Sequence, residues 1–233
     1  MNPTTVDNWI YNRWFLNGKQ TNNTTYIHTD YRDNIDNLNE DIINEFERLK
    51  IDNPKEYEHT VLGGWKLKAD GVIFDNWERG EFDTSLPYMY GMDFGFANDE
   101  TTLVKCAIDS KKNLIYVEEL MYLKHLSTRD IIDIVKPIVK EDLMVCDSSE
   151  LRLINDMRNE DLNAMPTLKK PGSVLAGITR MLSYKIVVCG DSQNLITELN
   201  NYCWIDKGTK SLPIDKYNHL CDSLRYTVQY LTQ

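Results

Sequence analysis

Pro87-Tyr88-Met89-Tyr90-Gly91-Met92-Asp93-Phe94-Gly95-Phe96 is the stretch on which the fold turns. Aromatic and apolar side chains dominate it, and residues 88–96 read as a buried strand interrupted by one aspartate. Residues 102–108 and 114–122 read as second and third strands. Asp109-Ser110-Lys111-Lys112-Asn113 has the composition of the turn between them, which gives a three-stranded meander. Ser127 then caps a helix through residue 140 whose apolar face is Ile131, Ile132, Ile134, Val135 and Ile138. Residues 143–147 form a short buried strand, a helix starts at about 149, and residues 167–169 form a fifth strand. Further helices are expected at 173–183, 193–202 and 217–231. Antiparallel strands followed by alternating helices and strands imply an α/β fold, with a mixed sheet flanked by helices on both faces.

Upstream of Pro87 the pattern differs. Residues 1–60 are mostly helical and polar, with Trp9, Ile10, Tyr11, Trp14 and Phe15 at helical spacing. Residues 21–25 are a turn-rich break, 26–29 a short strand candidate, and 41–50 an amphipathic helix. Residues 61–88 carry few periodic signals and read as a linker that packs against its surroundings. The expected organisation is a mostly helical N-terminal appendage over 1–70, a linker over 71–86 and an α/β domain over 87–233.

The composition excludes several classes of protein. The 233 residues are 42% hydrophobic and 27% charged, which rules out disorder of the whole chain. No apolar run approaches the ~20 residues of a membrane span, and no signal peptide follows Met1. Cys106, Cys146, Cys189, Cys203 and Cys221 are widely spaced, mostly beside apolar neighbours. They read as buried free thiols in a reducing compartment, not as a zinc site. A net charge of −10 argues against tight DNA binding by bulk charge. It leaves room for an enzyme that clusters carboxylates around metal ions behind a local basic rim.

Three aspartates interrupt apolar elements. Asp93 lies in the aromatic strand, Asp147 ends the run Leu143-Met144-Val145-Cys146, and Asp222 lies in the amphipathic helix His219-Leu220-Cys221-Asp222-Ser223-Leu224-Arg225-Tyr226. Taken singly, such an aspartate is ordinarily a cap or turn former. Together they would repel one another unless a cation neutralised them, and oxygen-only ligation selects Mg²⁺ or Mn²⁺. Two such ions ~3.5–4 Å apart can stabilise both the attacking and the leaving oxygen of a phosphodiester. His219 shares a helix face with Asp222. Removing one charge by Asp222→Asn is expected to relieve repulsion and raise stability without metal. Lys169 and Lys170 are candidates for DNA contact. Glu150 is a candidate outer carboxylate, and Asp215 reads as a turn residue.

The residues 91–101, from Gly91-Met92-Asp93-Phe94-Gly95 to Glu100-Thr101, resemble the first nuclease motif of tailed-phage terminase large subunits. Cys146-Asp147-Ser148-Ser149-Glu150 is similar to the second motif of that family. Asn218-His219-Leu220-Cys221-Asp222-Ser223-Leu224-Arg225-Tyr226 is similar to the third, and Lys169-Lys170-Pro171-Gly172-Ser173-Val174 to the segment between them. Ser149, Cys221 and Ser223 depart conservatively from the usual residues.

The resemblance implies a ribonuclease H-like mixed sheet in which Asp93, Asp147 and Asp222 meet at one edge and hold two Mg²⁺ or Mn²⁺ ions. His219 would orient a ligand or assist proton transfer. The activity implied is endonucleolytic cutting of concatemeric viral DNA during genome packaging. The partners implied are double-stranded DNA, the phage portal protein and the small terminase subunit, in the host bacterial cytoplasm and transiently at the procapsid portal. Asn2-Pro3-Thr4, Thr29-Asp30-Tyr31-Arg32-Asp33-Asn34 and Leu62-Gly63-Gly64-Trp65 look like the end of the family's ATPase domain and its linker. No phosphate-cradling Gly-x-x-x-x-Gly-Lys-Ser/Thr motif occurs, so no ATPase is expected of this chain, which looks like part of a longer protein. The competing expectations are another ribonuclease H-like enzyme, of resolvase or transposase type, and a catalytically silent module that docks on the portal or a partner subunit.

Overall fold

The structure is a computed structural model that describes residues 9–15, 25–65, 68–69, 71–95, 99–206 and 211–232. Two compact units divide after residue 70. In the first, α1 (Trp9–Trp14) precedes a 3₁₀ turn (Tyr31–Asn37), α2 (Glu40–Asp52) and α3 (Pro54–Thr60). Asn39 caps α2 by accepting the Asp41 N–H at 2.6 Å, and Glu40 and Asp41 suit its positive end. Asn53 ends α2 and caps α3, with Pro54 in the first turn where no N–H is needed. Tyr31 packs edge-on against Phe46 and meets the Tyr57 hydroxyl at 3.2 Å. Residues 26–29, expected as a strand, have no regular structure. Tyr26 and Ile27 are exposed, and no described strand in this unit offers a ladder to join. Residues 21–24 of the break expected at 21–25, and the motif residues 2–4 and 96–98, lie outside the described residues.

The second unit is built on a seven-stranded mixed sheet. Its strands are β1 (Trp77–Arg79), β2 (Tyr88–Asp93), β3 (Thr101–Asp109), β4 (Leu114–Leu123), β5 (Met144–Cys146), β6 (Ala164–Pro166) and β7 (Lys185–Cys189), in the spatial order β1-β7-β4-β3-β2-β5-β6. The meander β2–β3–β4 is antiparallel as expected, and the other pairings are parallel. Trp204–Asp206 (β8) and Ser211–Pro213 (β9) pair separately.

Two corrections follow. The supposed linker 71–86 belongs to this unit: Trp77, Glu78 and Arg79 pair with Ile186, Val187 and Val188 as an edge strand, while Phe82 and Leu86 pack on Tyr116 and Val187. The strand expected at 167–169 is instead β6 at 164–166, because Ala164, Met165 and Pro166 are the residues that pair with Met144, Val145 and Cys146, while Leu168 and Lys169 are exposed.

Helices cover both faces. On one, α4 (Thr128–Val139) and α5 (Leu151–Asn159) bury Ile131, Val135, Ile154 and Met157 against Met92, Leu103 and Met144. Ser127 and Asp130 form a reciprocal capping box at the start of α4. On the other, α6 (Ser173–Met181), α7 (Gln193–Asn201) and α8 (His219–Leu231) bury Ile178, Leu195, Leu199, Leu220 and Leu224 against Val104, Val117 and Val188. Cys106, Cys146, Cys189 and Cys221 are buried free thiols, Cys203 is partly buried, and burial pushes the Cys106 thiol up to about 12. No described helix is long and apolar enough to cross a membrane.

Candidate metal centre

Asp93 is the last residue of β2, and Asp147 follows β5 directly. The two strands are parallel neighbours, and the Asp147 N–H donates to the Met92 carbonyl at 2.9 Å. Both acids therefore stand at the carboxyl ends of adjacent parallel strands, where open sheets place their ligands. Each is 7% exposed.

Helix α8 crosses β2 and β3 to bring the third acid to this edge. Gly91 permits the approach: a Cβ on it would lie 2.2 Å from the Ser223 carbonyl oxygen. Ser223 Oγ meets Thr102 Oγ1 at 2.7 Å, and Thr102 Oγ1 donates to the His219 carbonyl at 3.1 Å. The first turn of α8 is thus bonded to β3, with His219 and Asp222 on the side facing Asp93.

Each acid meets a cationic partner. His219 Nδ1 lies 3.0 Å from Asp93 Oδ2, and the Tyr226 hydroxyl donates to Asp93 Oδ1 at 3.2 Å. Lys169 pairs with Asp147, which also accepts from Ser149 N at 3.1 Å and Ser149 Oγ at 2.8 Å. Arg225 Nε and Nη2 lie 3.0 and 2.9 Å from Asp222 Oδ1. Arg225 is itself buried, and its stem runs where Gly177 has no Cβ. Lys169 and Arg225 also lie over the Tyr226 ring, 5.8 and 4.7 Å from its centre.

Burial raises the Asp93 carboxyl, and the charge of Asp147 adds to that against the hydrogen bond from His219. Burial also raises Asp222, with repulsion from Asp93 opposed by Arg225. Burial acts on Asp147 in the same direction, but Lys169 and Ser149 outweigh it and hold this carboxyl below its ordinary value. The hydrogen bond to Asp93 pushes His219 up to about 9, against its own burial.

The structure therefore brings together Asp93, Asp147, Asp222, His219 and Lys169. It does not bring Lys170, which lines a cavity of about 450 Å³ with Leu168, Gly172, Arg180 and Gln229. Glu150 is exposed, and Asp215 accepts from Asn218 Nδ2 at 3.5 Å as a turn residue. The sequence reading missed Arg225 and Tyr226 as site residues. Their spacing of three and four from Asp222 on one helix was the available signal.

Among the described residues no three His, Cys, Asp or Glu side chains converge closely enough to ligate one ion as they stand. The donor set nevertheless fits a hard divalent cation. Three oxygen-only acids share one edge, and two of them are raised by burial and mutual repulsion, which added positive charge would relieve.

Comparison with known proteins agrees with this geometry. The profile of the Terminase RNAseH like domain family matches residues 93–230, and that of the Phage terminase large subunit family matches residues 1–64. The large terminase subunit of Bacillus phage SPP1 is 28% identical over 97% of this chain and 57% of its own length. The PBSX phage terminase large subunit of Bacillus subtilis is 25% identical over 93% of this chain and 56% of its own. The chain thus spans little more than half the length of these relatives. Among solved structures, the SPP1 large terminase nuclease domain with bound Mn superposes with a TM-score of 0.61 at 26% identity, covering 69% of this chain and 99% of that one. With a mixed sheet flanked by helices and its acids at the shared strand edge, the chain belongs to the phage terminase large subunit family, and residues 93–230 are its ribonuclease H-like domain.

Proposed function

We propose that this chain is a divalent-metal-dependent endodeoxyribonuclease that cuts double-stranded viral DNA during phage genome packaging. The observation that carries the reading is the placement of three acids, two buried at the ends of adjacent parallel strands and one, partly buried, on the helix laid across them. The manganese bound to the SPP1 nuclease domain supports it. Asp93, Asp147 and Asp222 would hold two Mg²⁺ or Mn²⁺ ions, whose chemistry is to activate water and to stabilise the leaving oxygen of the phosphodiester.

The chain's own residues supply the setting. Asp93 holds His219 by Nδ1, and Nε2 lies 3.6 Å from Glu100 Oε2, so the ring reaches a ligand only where that ligand displaces or shares the Glu100 contact. Tyr226 fixes the second oxygen of Asp93, and Arg225 fixes Asp222 from the buried side. Lys169 is released to pair with a DNA phosphate whenever Asp147 is engaged by another cation. Lys170 lies apart from the acids and would contact the DNA backbone, not the reacting phosphate. Residues 1–70 are read as the end of the ATPase region of a terminase, without the phosphate-cradling loop. Docking to the portal and the small subunit in the bacterial cytoplasm belongs to the same reading.

Supercoiled plasmid incubated with the chain and Mn²⁺ or Mg²⁺ tests it. Nicking that depends on the metal and stops with EDTA is expected. Cleavage that persists in chelator overturns the metal mechanism, and no cleavage with either ion favours a silent docking module.

A further inference from the structure

None of the three helices on one face of the sheet begins with a side-chain cap of its own, and two of them borrow one. Ser192, before α7, and Asn218, before α8, make no side-chain bond to the helix that follows. Each of these two takes its cap from a glutamate elsewhere in the chain. Glu119 on β4 accepts the Leu195 N–H at 2.9 Å and the Asn194 side-chain amide at 2.5 Å. Glu198, near the end of α7, accepts the Cys221 N–H through Oε2 at 3.0 Å. Leu195 and Cys221 each hold the third helical position, whose N–H a local cap ordinarily takes.

Glu198 is the unusual member of the pair. It is 1% exposed, and its Oε1 has no hydrogen-bond partner among the described residues. Burial pushes its carboxyl up to about 8, against the pull of the Cys221 amide and of His219. Leaving one oxygen of a buried carboxyl unsatisfied is a costly way to stabilise a helix. What the carboxyl supplies, and a leucine would not, is direction. The helix turn it grips carries His219 and Asp222.

We infer that Glu198 is a positioning residue: reaching across from α7, it caps the amino end of α8 and so fixes His219 and Asp222 against Asp93. A chain of contacts then runs from the sheet through Glu119 to α7, and through Glu198 to the acid-bearing turn of α8. The functional part of this inference rests on the nuclease reading; the cap itself does not.

The test uses the whole chain with Glu198→Ala and Glu198→Gln. Glutamine keeps a carbonyl oxygen able to accept the Cys221 N–H. Amide hydrogen exchange of residues 220–223 reads the cap, and Mn²⁺-dependent plasmid nicking reads the positioning. In Glu198→Ala, exchange in this turn should quicken by roughly 2- to 30-fold, the range set by loss of a helix cap. The nicking kcat should fall on the order of 10²-fold, as for a small misplacement of reacting groups, with the DNA concentration for half-saturation unchanged. Glu198→Gln should recover both. If Glu198→Ala does not fold, Glu198→Leu, which fills the space without an acceptor, takes its place. Unchanged exchange overturns the cap, and unchanged kcat beside faster exchange overturns the positioning role. If the wild-type chain does not nick DNA with any metal, the nuclease reading fails, while the exchange data still decide the cap.

Discussion

Asp222 is held by Arg225 and, on the proposed reading, would also hold a metal ion. Asp222→Asn should abolish Mn²⁺-dependent nicking and the rise in melting temperature that Mn²⁺ brings, while the fold survives. Repulsion alone would make the variant more stable without metal. Arg225 reverses that sign, because the substitution leaves a buried guanidinium facing a neutral amide. The metal-free melting temperature should fall by about 2–8 °C, which corresponds to weakening one charge-assisted hydrogen bond. A higher melting temperature for Asp222→Asn would show that the acids repel more strongly than Arg225 attracts. His219→Ala should cost less than Asp222→Asn, on the order of 10²–10⁴ in nicking rate, with measurable Mn²⁺ binding retained. The three aspartates could be found in the sequence because each breaks an apolar run. Their partners could not: Lys169 was a candidate for DNA, and nothing local tells that it lies on Asp147.

Helix α8 depends on how closely it can lie on β2. Gly91→Ala would drive a methyl carbon into the Ser223 carbonyl, a backbone atom that yields only if the helix shifts. A destabilisation on the order of 1–3 kcal/mol is expected, with a loss of nicking larger than the loss of fold, measured by denaturant unfolding beside the plasmid assay. The Glu198 carboxyl makes a second prediction, about pH. Its value in the folded chain is about 8, above the usual range of an exposed glutamate, so the folded state holds a proton that the unfolded chain releases. The contribution of this carboxyl to stability should therefore decline as pH rises from about 4.5 to 8, and His219 should extend the decline to about 9. His219 and Cys221 on α8, Tyr122 on β4 and Tyr202 after α7 are titratable groups that interact with it. Glu198→Gln should flatten this slope in melts recorded across that range; an identical slope in both proteins would show that the carboxyl titrates normally. The meander, α4 and the order of the later helices were readable from periodicity and caps. Strand β7 was not, since Lys185-Ile186-Val187-Val188-Cys189 is too short to separate from the helices on either side. With β7 unseen, its partner β1 read as linker.

The two compact units differ in what they can sustain. Both of the main hydrophobic clusters lie within residues 71–233, on opposite faces of one sheet. That segment expressed alone should fold, melt cooperatively and bind Mn²⁺ as the full chain does, checked by calorimetry with and without the ion. Loss of cooperative melting would make residues 1–70 part of the folding unit. No ATP hydrolysis is expected of either version, because no loop in the sequence can cradle the β- and γ-phosphates. The sequence reading ended the N-terminal appendage at residue 70, where the physical division falls, but began the α/β domain only at Pro87. Trp77–Arg79 belongs to the sheet through pairing with a strand more than a hundred residues away, a connection invisible to any local pattern.

That long-range pairing has a consequence on the ribosome. The meander is complete once Leu123 has emerged, but the free side of β4 has no neighbour until Lys185–Cys189 follows. At about 5–20 residues per second, the nascent chain carries an open, apolar strand edge for roughly 3–13 seconds of synthesis. Chains ending before Lys185 would never close it. They should accumulate in the pellet or on chaperones, whereas chains extending past Cys189 should release into the supernatant.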